Sequence, residues 1–329
     1  MIVFSERRGR MKKYDVVTVG SGLVDAFVRA DFKEKNSVMY FPVGTKIQVD
    51  DISFSIGGGG INSAMCFSHL GLKTGFLGKI GQGYNGLIIL KGLGDNKIDF
   101  LGVKSNEHTG YSIILESENK NRTILTFKSA SDNLKFNEIS LNKLDTKWFY
   151  FTSLGGESFK TQKNIALYCK KNEIKLAYNP SSYHTKNGAA FLEPILRNTN
   201  FLSLNKEEAR MLVKNGNIYA ELRKLGPEIV CVTDGENEGG VYDGEFLYRY
   251  TPPKIKIKEV TGAGDIFGSS FVSGLIKFGN IEDALKIAVA HAAFAISKGD
   301  GIHKRMASWN EIVRIIKHKK FKINKGTLK

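Results

Sequence analysis

Three short clusters of glycine and polar residues in this chain could do chemistry. The first is Thr261-Gly262-Ala263-Gly264-Asp265, between an alternating run, Lys254 to Lys258, and an apolar, small-residue helix pattern, Ile266 to Phe278. This order predicts a strand, a turn on two glycines, and a helix that begins at the aspartate. Glycine admits backbone conformations closed to other residues and lets a ligand approach the main chain. The first amides of a helix lack intrahelical partners and sit at the positive end of its dipole, so such a turn can hold an anion. Asp265 there can act as a plain N-cap, or it can take the proton from a hydroxyl that is about to attack a phosphate. On this stretch alone both readings stay open.

The second cluster is Gly57-Gly58-Gly59-Gly60-Ile61-Asn62-Ser63-Ala64, followed by an apolar helix pattern that Gly71 stops. Four consecutive glycines are entropically expensive to order. A loop that lets a ligand lie on its backbone, with Asn62 reading it, gives them a use; a flexible connector capped by Asn62 is the plainer alternative. The third cluster, Gly20-Ser21-Gly22-Leu23-Val24-Asp25, follows a β-branched strand pattern at residues 14–20. A dinucleotide fingerprint would need glycine where Asp25 stands. Asp25 reads instead as an acid just past a strand end, placed to bond sugar hydroxyls or to form a turn.

These clusters need a frame that brings them together, and the rest of the chain supplies one. Strand patterns at Trp148–Thr152, Lys175–Asn179, Asn200–Leu204 and Ile229–Thr233 alternate with helix patterns at Phe159–Lys171, Lys206–Lys214 and Tyr219–Leu225. Such alternation predicts a parallel sheet with right-handed crossovers and helices on both faces. Ligands gather at the carboxyl ends of strands in such sheets. Asp25, Asn179, Asn205, Thr233, Gly235 and Asp265 fall on that rim. Two insertions break the pattern, at about residues 32–56 and 107–130. The first holds the short β-like runs Ser37–Phe41, Lys46–Val49 and Ile52–Ile56; the second reads as a hairpin of Tyr111–Glu116 and Thr123–Lys128. Together they predict a small sheet that could close as a lid over a cleft. Helix patterns at Asp283–Ser297 and Trp309–Lys319 complete the fold.

Composition excludes several classes of function. With 42% hydrophobic residues the 329-residue chain can bury a large core, and no uncharged apolar stretch is long enough to cross a membrane. The N-terminus is charged, unlike a signal peptide. Cys66, Cys169 and Cys231 are isolated in apolar patterns, which predicts reduced core thiols in a cytoplasmic protein. The net charge of +15 is concentrated at the ends. Residues 1–13 carry five Arg and Lys against Glu6, and residues 317–329 carry six lysines and no acid. A mildly basic body with basic tails suits phosphorylated ligands better than nucleic acid, for which no recognised module is present.

The glycine run with Asn62, Ala64, Gly71 and Gly81, together with Thr261–Asp265 backed by Ser269 and Ser270, resembles the ribokinase-like (PfkB) carbohydrate kinases. Asn205-Lys206-Glu207-Glu208 is similar to that family's N-x-x-E element, and Thr233-Asp234-Gly235-Glu236 to its T-x-G-E element. The similarity spans residues 14–317, leaving residues 1–13 and 318–329 as basic extensions. It implies an α/β three-layer sandwich with a mostly parallel central sheet and a β-sheet lid. It further implies ATP-dependent phosphorylation of a sugar hydroxyl. In that scheme Asp265 is the base and the Gly262, Ala263 and Gly264 amides hold the transferring phosphoryl group. Asp25, Gly58, Gly59 and Asn62 contact the acceptor. Asn205, Thr233, Gly235, Glu236 and Thr261 line the nucleotide phosphates and ribose, His291 and Ser297 wall the adenine, and Glu208 organises Mg²⁺ through water.

Two departures bear on specificity. Glu259 and Val260 stand where the family often has Asp and Thr, and the acid there helps many members hold a monovalent cation; Gly299, Asp300 and Gly301 could complete a K⁺ site. Gly59 replaces the lysine of ribokinase itself, which weakens the case for ribose. A pentose or hexose is the expected substrate. A nucleoside is the alternative, with Tyr40, Phe41, Phe54 and Phe127 as a wall, and a ligand binder without catalysis is a third reading. Edges of the inserted strands predict a homodimer through the lid.

Overall fold

The structure is a computed structural model and describes residues 12–118, 121–298 and 305–328. Its frame is a ten-stranded sheet. In spatial order the strands are Ile323–Thr327, Phe246–Tyr250, Gly239–Tyr242, Ile229–Thr233, Phe201–Asn205, Lys175–Asn179, Thr146–Thr152, Tyr14–Val19, Thr74–Leu77 and Asp99–Phe100. From Ile229–Thr233 to Asp99–Phe100 every pairing is parallel, and the three strands at the other end are antiparallel.

Successive side chains of a strand point to opposite faces, and the core follows that rule. Phe149 and Phe151 face one layer with Tyr178, Leu202 and Val230, under the helices Gly156–Lys171, Ala189–Leu196, Lys206–Leu212 and Ile218–Lys224. Trp148 and Tyr150 face the other with Ala177, Phe201 and Cys231, under the helices Gly59–His69, Ala263–Phe278, Ile281–Ser297 and Trp309–His318. Burial on both faces explains why the parallel strands read as continuous apolar runs. The three cysteines are free and buried.

A second sheet of four strands, in the order Arg122–Phe127, Gly110–Glu116, Leu23–Arg29 and Asp51–Gly57, is the predicted lid. The hairpin of its first two strands matches the expectation. Leu23–Arg29 does not. The sequence places Asp25 just past a strand end, whereas the chain crosses at Ser21-Gly22 into a new strand that puts Asp25 mid-strand in the lid, opposite Ser55 and Ser112. No strand forms at Lys46–Val49.

Two further expectations are corrected. Lys254–Lys258 alternates but forms no strand, because the place beside Phe246–Tyr250 is taken by Ile323–Thr327. For the same reason residues 318–329 are not a tail outside the fold: their strand ends the sheet. Residues 1–11 of the N-terminal extension and the Gly299–Gly301 loop lie outside the described residues.

Candidate active site

The glycine turn is built as a helix start, two residues earlier than expected. Gly262 is the N-cap with φ 75°, a left-handed conformation that favours glycine, and the helix runs Ala263–Phe278. Asp265 is therefore in the first turn rather than at the cap. The amides at the start of a helix have no carbonyl within it to bond. Ala263 spends its amide on Val260 O at 3.0 Å, so it is not the free donor expected. Gly264 is exposed, and a Cβ added there would meet nothing within 4 Å. A ligand can reach this backbone.

Behind the turn the helix is held by close contacts through small residues. A Cβ on Gly268 would stand 2.4 Å from Tyr150 Oη, and one on Gly274 would stand 2.4 Å from Ala284 Cα. Ser269 and Ser270 are fully buried in the same segment.

The glycine run meets this helix head on. Gly58, with φ 89°, is the N-cap of Gly59–His69. Asn62, in that helix's first turn, donates from Nδ2 to Asp265 Oδ2 at 3.2 Å. Its Oδ1 is buried and accepts no hydrogen bond, an acceptor left without a donor beside Asp265. The glycines themselves have a packing role that the sequence reading missed. A Cβ on Gly60 would lie 2.7 Å from Gly20 C, one on Gly58 2.6 Å from Ser21 O, and one on Gly59 2.8 Å from Thr152 Oγ1. Backbone lies on backbone here. Gly57 similarly clears space for Asp25, since its Cβ would fall 1.9 Å from Asp25 Oδ2. One segment, Gly57 to Asn62, thus touches both carboxylates.

Electrostatics distinguish these acids. Burial pushes Asp265 up to about 6; the Asn62 hydrogen bond opposes this and the charge of Glu208 adds to it. Asp265 still has partial exposure, so it is a crowded group close to the surface rather than a core residue. Asp25 is also raised by burial, opposed by a hydrogen bond from Ser112.

On the opposite side of the rim, Asn205 and Glu208 form a capping box. Asn205 Oδ1 accepts from Glu208 N at 2.8 Å, and Glu208 Oε2 accepts from Asn205 N at 3.0 Å. Glu208 is buried, and burial raises its carboxyl. Thr233 ends its strand, and its Oγ1 donates to Leu204 O at 3.4 Å. Gly235 has φ 59° and open space where a Cβ would be, and Glu236 is exposed. Lys206, which the sequence reading passed over, pairs with Asp234 at 2.7 Å. No cluster of three or more acidic, histidine or cysteine groups able to hold a metal occurs among the described residues. Glu208 thus stands as a single buried carboxylate on this rim, a set of donors that suits a metal ion only if phosphates and waters supply most of its ligands.

His291 does not belong to the site. It is fully buried, accepts the Ala307 amide on Nε2 at 2.9 Å and bonds Ser270 through Nδ1 at 2.8 Å. Burial holds it neutral, down to about 3. It is a core histidine that ties two helices to residue 307. Ser297 does line a cavity of about 290 Å³ with Pro253, Ile255, Ala293 and Phe294. Next to it, Ile296 O accepts the amides of Lys258 and Glu259, so this cavity lies one chain segment from the glycine turn.

Glu259 is fully engaged. Its carboxylate accepts from the Thr261 amide at 2.9 Å and pairs with Arg122 of the lid hairpin. Its carbonyl accepts from Arg305, as does that of Thr261. Neither arginine was singled out in the sequence, because each lies far along the chain from the turn it holds. No helix among the described residues is long and apolar enough to cross a membrane.

The molecule has known relatives. It is 24% identical over 298 residues to an ATP-dependent 6-phosphofructokinase of Thermoanaerobacterium thermosaccharolyticum, covering 87% of this chain and 88% of that one. Its fold superposes on Arabidopsis thaliana ribokinase complexed with ribose and ATP, with a TM-score of 0.81, 21% identity, and 93% and 99% of the two chains covered. A putative ribokinase II from E. coli in complex with ATP and Mg²⁺ gives a TM-score of 0.78 at 19% identity, over 93% and 99%. Residues 15–306 match the pfkB family of carbohydrate kinases, and a match of that extent settles membership: the chain is a pfkB family carbohydrate kinase.

Proposed function

We propose that this kinase transfers the γ-phosphoryl group of ATP to a hydroxyl of a free pentose or hexose. The observation that carries the reading is the Asn62–Asp265 hydrogen bond, which joins the acceptor-side glycine run to the base at the helix start. Asp25 and Asn62, with the Gly58 and Gly59 backbone, hold the sugar. Asp265 accepts the proton of the attacking hydroxyl as the oxygen–phosphorus bond forms and ADP departs with the electron pair of the broken bond. Phosphoryl transfer needs mainly alignment and stabilisation of charge on the equatorial oxygens, and amides fixed at a helix start supply that without reorganisation. Asn205, Thr233, Gly235, Glu236 and Thr261 border the phosphates and ribose, and the cavity at Ser297 and Phe294, with apolar walls of Pro253, Ile255 and Ile315 and charged groups of Glu311, Arg314 and Lys319, is the seat for adenine. Mg²⁺, when bound with ATP, neutralises phosphate charge.

A nucleoside acceptor is the second reading. It is favoured by one observation: Tyr40, Phe41, Phe54 and Phe127 are all exposed, Phe54 and Phe127 on the lid sheet and Tyr40 and Phe41 at the end of the separate strand pair Lys33–Lys35 and Val38–Tyr40. A panel of free sugars, sugar phosphates and nucleosides with ATP and Mg²⁺, read as ADP release, decides between them. Activity with nucleosides alone would replace the first reading. Asp265→Asn should lower kcat by roughly 10²–10⁴-fold, the usual contribution of a general base, with nucleotide affinity nearly unchanged. Unaltered turnover would remove Asp265 from the mechanism.

A further inference from the structure

Arg305 is 2% exposed. Its guanidinium donates from Nη1 to Glu259 O at 2.9 Å and from Nη2 to Thr261 O at 2.7 Å. Two carbonyls that flank Val260 therefore converge on one buried positive charge directly beneath the catalytic turn. The acid at 259 that could hold an alkali ion is already committed to the Thr261 amide and to Arg122. Among the described residues, these donors leave no place that a monovalent cation fits. We propose that Arg305 does permanently what a bound potassium ion would do here, and that turnover needs no monovalent cation.

The mechanical consequence follows from peptide geometry. In a planar trans peptide the C=O and N–H point in opposite directions. Arg305 draws the Thr261 carbonyl inward, so the Gly262 N–H is turned outward, to the side where Thr261 and Gly264 are exposed. The same holds for the Glu259 carbonyl and the Val260 N–H. Arginine suits the task because its planar fork sets the separation of two acceptors and its charge does not titrate. Arg305 is thus a positioning residue acting through the backbone.

This inference rests on the kinase reading for its activity arm, and a second arm is independent of it. In the first, turnover of the wild type is compared in potassium, sodium and choline chloride at equal ionic strength. Equal rates are expected, and activation by potassium of about tenfold or more would overturn the proposal. Arg305→Ala should lower kcat about 10²-fold, the scale of losing an aligned oxyanion donor. The KM for the acceptor should stay near its wild-type value, and potassium or millimolar guanidinium should restore part of the rate. Arg305→Lys, which keeps the charge but loses the fork, should fall between. In the second arm, the wild-type Tm should not move when choline is exchanged for potassium, whereas that of Arg305→Ala should rise. A potassium-specific rise in the wild-type Tm, or wild-type kcat in Arg305→Ala, would sink the idea. If no acceptor in the panel is phosphorylated, the kinase reading fails while the Tm comparison still judges Arg305. Should the alanine variant fail to fold, the lysine variant and the wild-type salt series still decide.

Discussion

Asp265, the base of the proposed reaction, is a carboxylate whose strength the fold has adjusted. Its carboxyl is raised to about 6, mostly by burial. A base must be ionised to act, so kcat/KM should climb about tenfold per pH unit below about 6 and level off above it. A flat profile across that range would show that another group limits the rate. The same shift has a stability sign. The folded state holds this proton more tightly than the unfolded chain, so the buried carboxylate penalises folding fully above about pH 6. That penalty fades as pH falls towards the ordinary aspartate range. Asp265→Asn should therefore show a higher Tm than the wild type at about pH 8, with the difference shrinking in acid, as scanning calorimetry would report. Asp265 and Asn62 drew notice in the sequence because polar types stand there next to glycine, and the structure brings the two together. His291 was misplaced for the converse reason: a histidine near a site and a histidine in a core look alike until its two ring nitrogens find Ser270 and the Ala307 amide.

Among the elements, those with local signals were read well. Lys175–Asn179 and Ile229–Thr233 have the bounds expected from their apolar runs, each closed by a polar residue. Leu23–Arg29 was missed as a lid strand because which sheet a strand joins depends on partners distant in sequence, here Gly110–Glu116 and Asp51–Gly57. Lys254–Lys258 shows the limit from the other side: alternation offers a strand, but pairing needs a vacant edge. The glycine run was recognised as special, yet its close packing on Gly20 and Ser21 was not visible. That packing gives a sharp expectation for Gly57. Alanine there would drive its Cβ into the Asp25 carboxylate, 1.9 Å away in the present geometry. Gly57→Ala should raise the acceptor KM by at least about tenfold and disturb kcat less, since a contact made in the ground state is lost. An unchanged KM in steady-state assays would take Asp25 out of the acceptor site.

For the whole molecule, the exposed lid is the open question of assembly. All six residues of the outer lid strand Arg122–Phe127 are exposed, and Phe54, Ile124, Leu125 and Phe127 are each more than half exposed. Exposed apolar side chains on both unpaired edges of the lid, Ile124, Leu125 and Phe127 on one and Phe54 on the other, favour association. We expect a homodimer through the lid, with light scattering after size exclusion giving twice the 36.5 kDa chain mass. A single-chain mass at micromolar concentration would refute it.

The tight seating of the helix Ala263–Phe278 carries a consequence for motion. With Gly268 against Tyr150 and Gly274 against Ala284, the helix has no slack in which to slide or roll. In the proposed reaction the turn at Gly262–Asp265 is then the stationary part. Any closure belongs to the four-stranded sheet that carries Asp25, which joins the rest of the molecule through the short crossings at Ser21-Gly22 and Gly57-Gly58.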